Sequence, residues 1–166
     1  MLYMGEQTFS TAQLRMGSGN SGLLVTDVKK QLKSAAPNTD LAIIDGSPGI
    51  GCPVIASLNV VDMVLIVAEP SISGISDMER IIETANRFQV TMAVCINKYN
   101  TNIQKTKMIE EFCMERKISI VGKIPFDQKV VRVLNQGKSI VDIDCDASRA
   151  TKSIFDKTME ILLHEV

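Results

Sequence analysis

From about residue 22 onward, apolar runs of strand length alternate with stretches whose apolar residues fall at helical spacing. That alternation constrains the fold more than any other feature. Strands separated by helices pair in parallel through right-handed crossovers, which places helices on both faces of the sheet. The expected class is therefore α/β, three-layer, with a mostly parallel sheet. Helical spacing runs through Leu24, Val25, Val28 and Leu32 and stops at Pro37-Asn38. Strands are expected at Leu41–Asp45, Val61–Ala68, Val90–Asn97 and Ile118–Ile124. Helices are expected at Pro53–Leu58, along Ile75, Met78, Ile81, Ile82, Ala85 and Phe88, and over Thr101–Arg116, Gln128–Asn135 and Ala147–Leu163. In the last of these Ile154, Met159, Ile161 and Leu162 supply the apolar contacts. Thr8–Met16 alternates polar and apolar residues, the pattern of an exposed edge strand or hairpin. The whole chain, 1–166, reads as one domain, with 1–21 as an irregular or edge segment.

Charge and composition exclude several function classes. Eighteen Lys plus Arg oppose nineteen Asp plus Glu, leaving a net charge of −1, so no positive field favours nucleic acid or an anionic membrane. No apolar run approaches the ~18 residues of a spanning helix, and no basic-then-apolar signal pattern opens the sequence. The expected location is the cytoplasm. Cys52, Cys95, Cys113 and Cys145 are far apart, and their spacing does not suit an iron–sulfur cluster held by this chain alone. Cys95 and Cys113 read as buried reduced thiols, and Cys52 sits in a glycine loop. His164, the only histidine, reads as a solvated helix end.

Leu41-Ala42-Ile43-Ile44 runs straight into Asp45, after which Gly46, Pro48, Gly49 and Gly51 break the backbone. A buried parallel strand built this way delivers a carboxylate to the carboxyl end of a sheet, where open α/β folds bind ligands. Such a carboxylate holds a metal-bound water beside a nucleotide phosphate in P-loop sites. The matching glycine-rich loop with its lysine is not found. Gly137-Lys138-Ser139 imitates its tail, but Arg132 stands where the opening glycine belongs and a helix precedes it; a glycine helix stop followed by a short strand is expected instead. Gly17-Ser18-Gly19-Asn20-Ser21-Gly22 satisfies G-x-G-x-x-G. Three readings of it stay open: a dinucleotide (NAD-type) loop, a glycine-rich helix start capped by Asn20 or Ser21, or an anion contact at that helix N-terminus.

Leu41–Gly49, Glu69-Pro70-Ser71-Ile72-Ser73-Gly74, Ile96-Asn97-Lys98-Tyr99-Asn100 and Gly122-Lys123-Ile124-Pro125-Phe126-Asp127 follow one another in a telling order. Together they resemble the C-terminal part of MinD/ParA-type (CobQ/CobB/MinD/ParA) P-loop ATPases, over roughly Gly17 to Val141. The subgroup with an inserted ferredoxin domain is similar at Gly17–Val25 and Gly46–Pro53 as well. The resemblance implies ATP and Mg²⁺ as ligands. Asp45 would orient a water on Mg²⁺, and Gly46 and Gly49 would bring backbone amides to the γ-phosphate. Asn97 would read the adenine edge, with Lys98 along the base and Pro125, Phe126 and Asp127 as the second wall of the pocket. Asp45 and Asn97 would thus flank one mononucleotide cleft. On local sequence alone Asn97 could simply make an Asx turn, and Asp127 could be only a helix N-cap.

The family's P-loop strand, its lysines and the cysteine-rich ferredoxin segment have no counterpart among these residues. The fold is therefore expected to be P-loop NTPase-like but lacking the P-loop strand, with weak or absent ATP and Mg²⁺ binding, no hydrolysis by this chain alone, and no iron–sulfur cluster in it. The family order places the missing strand between Leu41–Asp45 and Val61–Ala68. An empty slot there would be roughly 9.6 Å wide, twice the strand spacing, and would strand unpaired backbone groups. Either those two strands close up, or a homo-oligomer or partner chain supplies the strand. A non-enzymatic interaction subunit is the alternative function, with NAD-type binding at Gly17–Gly22 behind it.

Overall fold

The computed structural model describes residues 2–4, 7–13, 20–46 and 51–164. The chain divides into two compact units, Met1–Val61 and Asp62–Val166.

The first unit opens on an antiparallel hairpin. β1 (Leu2–Met4) pairs with β2 (Gln7–Phe9), Leu2 opposite Phe9. The expected hairpin lies at this end of the chain, with a shorter second strand than the Thr8–Met16 alternation suggests; residues 14–16 lie outside the described residues. Helix α1 (Ser21–Ala35) follows and ends before Pro37, where proline cannot continue the hydrogen-bond ladder. Asn20 stands at its N-cap with φ 102°, but its side chain caps nothing, so the capping expected of Asn20 is not made. Helix α2 (Cys52–Leu58) carries Pro53 in its first turn, where a missing N–H costs no ladder bond. The two helices are tied by Lys29 of α1. Its ammonium donates to the carbonyls of Ser57 (3.2 Å), Ala56 (3.4 Å) and Asn59, capping the C-terminus of α2 with a positive charge.

Residues 41–46 form no strand. The strand expected at Leu41–Asp45 is absent. Apolar composition suits a strand only where a neighbouring strand satisfies its backbone. Without one, Ile43 is left 77% exposed and Leu41 and Asp45 are also exposed.

The second unit is a parallel sheet in the order β3 (Met63–Ala68), β4 (Thr91–Asn97), β5 (Ser119–Ile124). Helix α3 (Ile72–Phe88) makes the β3-to-β4 crossover, and α4 (Ile103–Glu115) makes the β4-to-β5 crossover. Val64, Ile66, Ala68, Val94, Ile96 and Ile120 turn toward α3 and α4, where Met78, Ile82, Ile109 and Cys113 complete one core. Ala93, Cys95 and Val121 turn the other way and pack on Ile154 and Ile161 of α6 (Asp146–His164). The result is three layers, as the alternation implied. β4 is buried on both faces, and α5 (Gln128–Leu134) lies between β5 and α6 in the chain.

Two details refine the sequence reading. The apolar run Val61–Ala68 is only half covered as β3: Leu65 is 38% and Val67 57% exposed, both on the face away from α3. Among the described residues β3 pairs only with β4. Within those residues it is an edge strand. Gly137 stops α5 in the left-handed region (φ 73°), its N–H bonded to the Leu134 carbonyl at 2.9 Å. The short strand expected after it is instead a 3-10 turn, Ile140–Asp142, because Ser139 and Asp142 close a capping box. No described helix is long and apolar enough to cross a membrane.

Gly122 lies opposite Cys95 just past an irregularity in the β4–β5 ladder. A Cβ there would meet Ile154 Cγ1 at 2.5 Å, so Gly122 is what lets α6 approach the sheet. Gly122→Ala is expected to destabilise the fold by about 1–3 kcal/mol through overpacking. Ile82→Ala, which empties part of the other core, should cost about 2–5 kcal/mol. Urea unfolding measures both, and a loss under about 0.5 kcal/mol for either would contradict this packing.

Burial pushes the Cys95 thiol up to about 11, and does the same to Cys113 (about 11) despite the opposing pull of Arg116. Both folded values exceed the unfolded one, so their stabilisation is complete below pH 9 and is lost as pH rises from 9 through about 11. At pH 8 a thiol reagent should modify exposed Cys52 first, with Cys95, Cys113 and Cys145 reacting only on unfolding. Rapid native labelling of all four would contradict it.

Candidate functional site: the carboxyl edge of the parallel sheet

Parallel strands bring their carboxyl ends to one edge, and here that edge gathers the ends of β3, β4 and β5. Each strand leads into residues at this edge: Glu69 after β3, Asn97 and Lys98 at the end of β4, and Pro125, Phe126 and Asp127 after β5. Local sequence explains why the chain turns there. Pro70 ends β3, Lys98 adopts the left-handed region (φ 53°) to leave β4, and Pro125 stops β5. The residues Tyr99–Thr101 then form a 3-10 turn that Thr106 holds from α4, its hydroxyl donating to the Tyr99 carbonyl at 2.7 Å.

The loops after β4 and β5 are joined by one bond. The Phe126 N–H donates to Asn100 Oδ1 at 2.7 Å, which keeps Pro125–Asp127 beside Lys98–Asn100. The side chain of Asn97 makes no Asx turn. Its Nδ2 reaches Glu69 Oε1 at 3.4 Å, and the Lys98 ammonium pairs with the same oxygen at 2.7 Å. Asp127 does serve as an N-cap, Oδ1 accepting from the Lys129 N–H at 2.8 Å at the start of α5. Phe126 presents a half-exposed ring. Of the residues expected to line a base pocket, Asn97, Lys98, Pro125, Phe126 and Asp127 therefore share one sheet edge.

Sequence reasoning passed over Glu69 and Asn100. The signal for Glu69 was present: Leu65-Ile66-Val67-Ala68-Glu69 is an apolar run ending on an acid, the same pattern that singled out Asp45. Glu69 is placed by a tight approach, since a Cβ on Gly74 would lie 2.4 Å from the Glu69 carbonyl oxygen. The Ser71 N–H donates to that carbonyl at 2.8 Å, and Ser71 Oγ caps α3 by accepting from the Gly74 N–H at 2.9 Å.

The remaining candidates belong to the first unit. Asp45 and Gly46 are exposed, and a Cβ on Gly46 would meet nothing within 4 Å. Gly49 lies outside the described residues, as do Gly17 and Gly19. Gly22 at the start of α1 and Cys52 at the start of α2 approach one another closely, for a Cβ on Gly22 would lie 3.1 Å from Cys52 Cβ. Among the described residues no cluster of three or more His, Cys, Asp or Glu side chains is placed to hold a metal ion. An open depression of about 390 Å³ occupies the opposite, amino edge of the sheet, where Arg116, Lys117, Thr91 and Ser119 line it.

No family model matches the chain. An uncharacterised protein of Methanocaldococcus jannaschii is 30% identical over 150 residues, covering 90% of this chain and 50% of the relative. Septum site-determining protein MinD of Escherichia coli K12 is 27% identical over 143 residues, covering 78% of this chain and 52% of that protein. Among solved structures, MinD from Pyrococcus horikoshii in complex with Mg-ADP superposes with a TM-score of 0.66 at 17% identity, covering 83% of this chain and 58% of that one. The chain spans about half the length of the curated relatives it matches. It is similar in sequence to the MinD-like ATPases and has their α/β fold with a parallel sheet.

Proposed function

We propose that this chain is the ATP-binding part of a MinD/ParA-like P-loop ATPase without the Walker A half, and that it acts in the cytoplasm as a single partial nucleotide-binding domain. The observation that carries the proposal is the Phe126-to-Asn100 bond, which sets Asn97 and Lys98 beside Pro125–Asp127 at the edge of the sheet where α/β folds take ligands. An amide, a cation and an aromatic ring there suit a purine: the amide pairs with its edge, and the ring and lysine stem cover its face. The Mg-ADP bound by the horikoshii MinD supports a magnesium nucleotide as the ligand.

The phosphate end is weaker. Asp45 would orient a water on Mg²⁺, with Gly46 and Gly49 offering backbone amides to the terminal phosphate. The 166 residues contain no G-x-x-x-x-G-K-[ST] loop, and that loop carries most of the phosphate affinity and the charge stabilisation of transfer. By itself the chain therefore binds ATP weakly and does not hydrolyse it. Completion of the site falls to a second copy or a partner chain that adds a strand. Among the described residues β3 pairs only with β4, and its Leu65 and Val67 are exposed, which supports this reading, because an apolar edge strand without charge or proline invites pairing.

Calorimetric titration with ATP and Mg²⁺ tests the ligand. Weak binding that Asn97→Ala lowers by about 10-fold, the loss expected for one amide–base pair, agrees with the proposal. Silence toward ATP and NAD with a stable folded oligomer would favour an interaction subunit, and NAD binding abolished by Gly19→Ala would favour a dinucleotide enzyme. For the partner strand, Val67→Lys should leave the melting temperature within a few degrees but abolish association in sedimentation; unchanged association would remove β3 from the interface.

A further inference from the structure

Glu69 has no role in the reading above, yet two donors from the end of β4 converge on a single one of its oxygens. We infer that Glu69 is a positioning residue that makes the site prefer adenine to 6-oxopurines, by fixing which way round the Asn97 amide points. The inference rests on the nucleotide reading and names the base it selects.

A carboxylate only accepts hydrogen bonds, so it admits the Nδ2 end of a neighbouring amide and repels the Oδ1 end. With Nδ2 held 3.4 Å from Glu69 Oε1, the Asn97 amide keeps Oδ1 as an acceptor on its other side and one Nδ2 hydrogen uncommitted. That pair of groups matches adenine, which offers the N6 amino donor beside the N7 acceptor on one edge. A 6-oxopurine presents two acceptors there, O6 and N7, and its O6 would face Oδ1 with no proton between them. Glu69 acts a second time through Lys98. The ammonium lies 2.7 Å from the same oxygen, so its charge is held by the carboxylate and not by Oδ1 of Asn97. Without Glu69 the lysine would draw Oδ1 toward itself and turn the amide over, exposing Nδ2 as the donor that a 6-oxo group needs. The backbone of Glu69 is fixed independently by the close approach of Gly74 and by the Ser71 N–H, so replacing its side chain leaves the loop in place.

Affinities of the purified chain for ATP and for ITP, each with Mg²⁺, test this in the wild type, Glu69→Ala and Glu69→Gln. ITP differs from ATP by the 6-oxo group and the proton on N1. The wild type is expected to favour ATP by about 10-fold or more. Glu69→Ala should bring the two nucleotides within about 3-fold. Glu69→Gln, whose amide oxygen still accepts from Asn97 and Lys98, should restore most of the preference. A general structural loss would instead lower both affinities together and leave their ratio unchanged, which overturns the assignment while the nucleotide reading stands. A wild type that binds neither nucleotide overturns the nucleotide reading and this inference with it. The side-chain amide signals of Asn97 in an NMR spectrum of the free protein supply a second readout. They should shift and exchange faster in Glu69→Ala, and no change would count against Glu69.

Discussion

Burial of β4 on both faces is the constraint on which the second unit depends. Ala93, Val94, Cys95 and Ile96 are removed from water on both sides, and no parallel strand can be covered that way without helices above and below. α3 and α4 cover one face and α6 the other, with Gly122 permitting α6 its close approach. The same arrangement fixes strand direction. Since all three strands run in parallel, their carboxyl ends arrive at one edge, and topology brings Glu69, Asn97 and Pro125–Asp127 there, where the Phe126–Asn100 and Asn97–Glu69 bonds join the loops.

The sequence was most legible where periodicity and burial agree. The helix over Ile75–Phe88, the strand ending at Asn97 and the helix carrying Ile154 all follow from spacing, because each buries the apolar stripe that the spacing describes. It misled where composition and environment part. Leu41–Ile44 is as apolar as β3, but a strand is a property of two segments, and among the described residues no strand pairs with these. β3 shows the intermediate case: paired on one side through β4, buried on the α3 face, and open at Leu65 and Val67 on the other. Three apolar runs of similar composition thus have three different environments, and only the number of neighbours distinguishes them.

The site was legible in part for the same reason. Residues at strand ends can be placed once the strands are placed, which is why Asn97, Lys98 and Pro125–Asp127 fall together. Interactions between strand ends could not be read locally. The Asx turn open to Asn97 lost to a carboxylate 28 residues away, and the partner of Phe126 was a loop amide 26 residues earlier. The N-cap left open to Asp127 is made, because its partner, the Lys129 N–H, lies only two residues along the chain.

The central claim is that the carboxyl edge of this three-stranded sheet takes a purine nucleotide. The most direct measurement is the pattern of backbone and side-chain amide shifts when ADP and Mg²⁺ are added to the labelled chain. The account predicts that the shifts concentrate at Glu69, at Asn97 to Asn100 and at Phe126 and Asp127. Shifts confined to the amino edge, around Arg116, Lys117 and Ser119, or no shifts at saturating nucleotide, would contradict it.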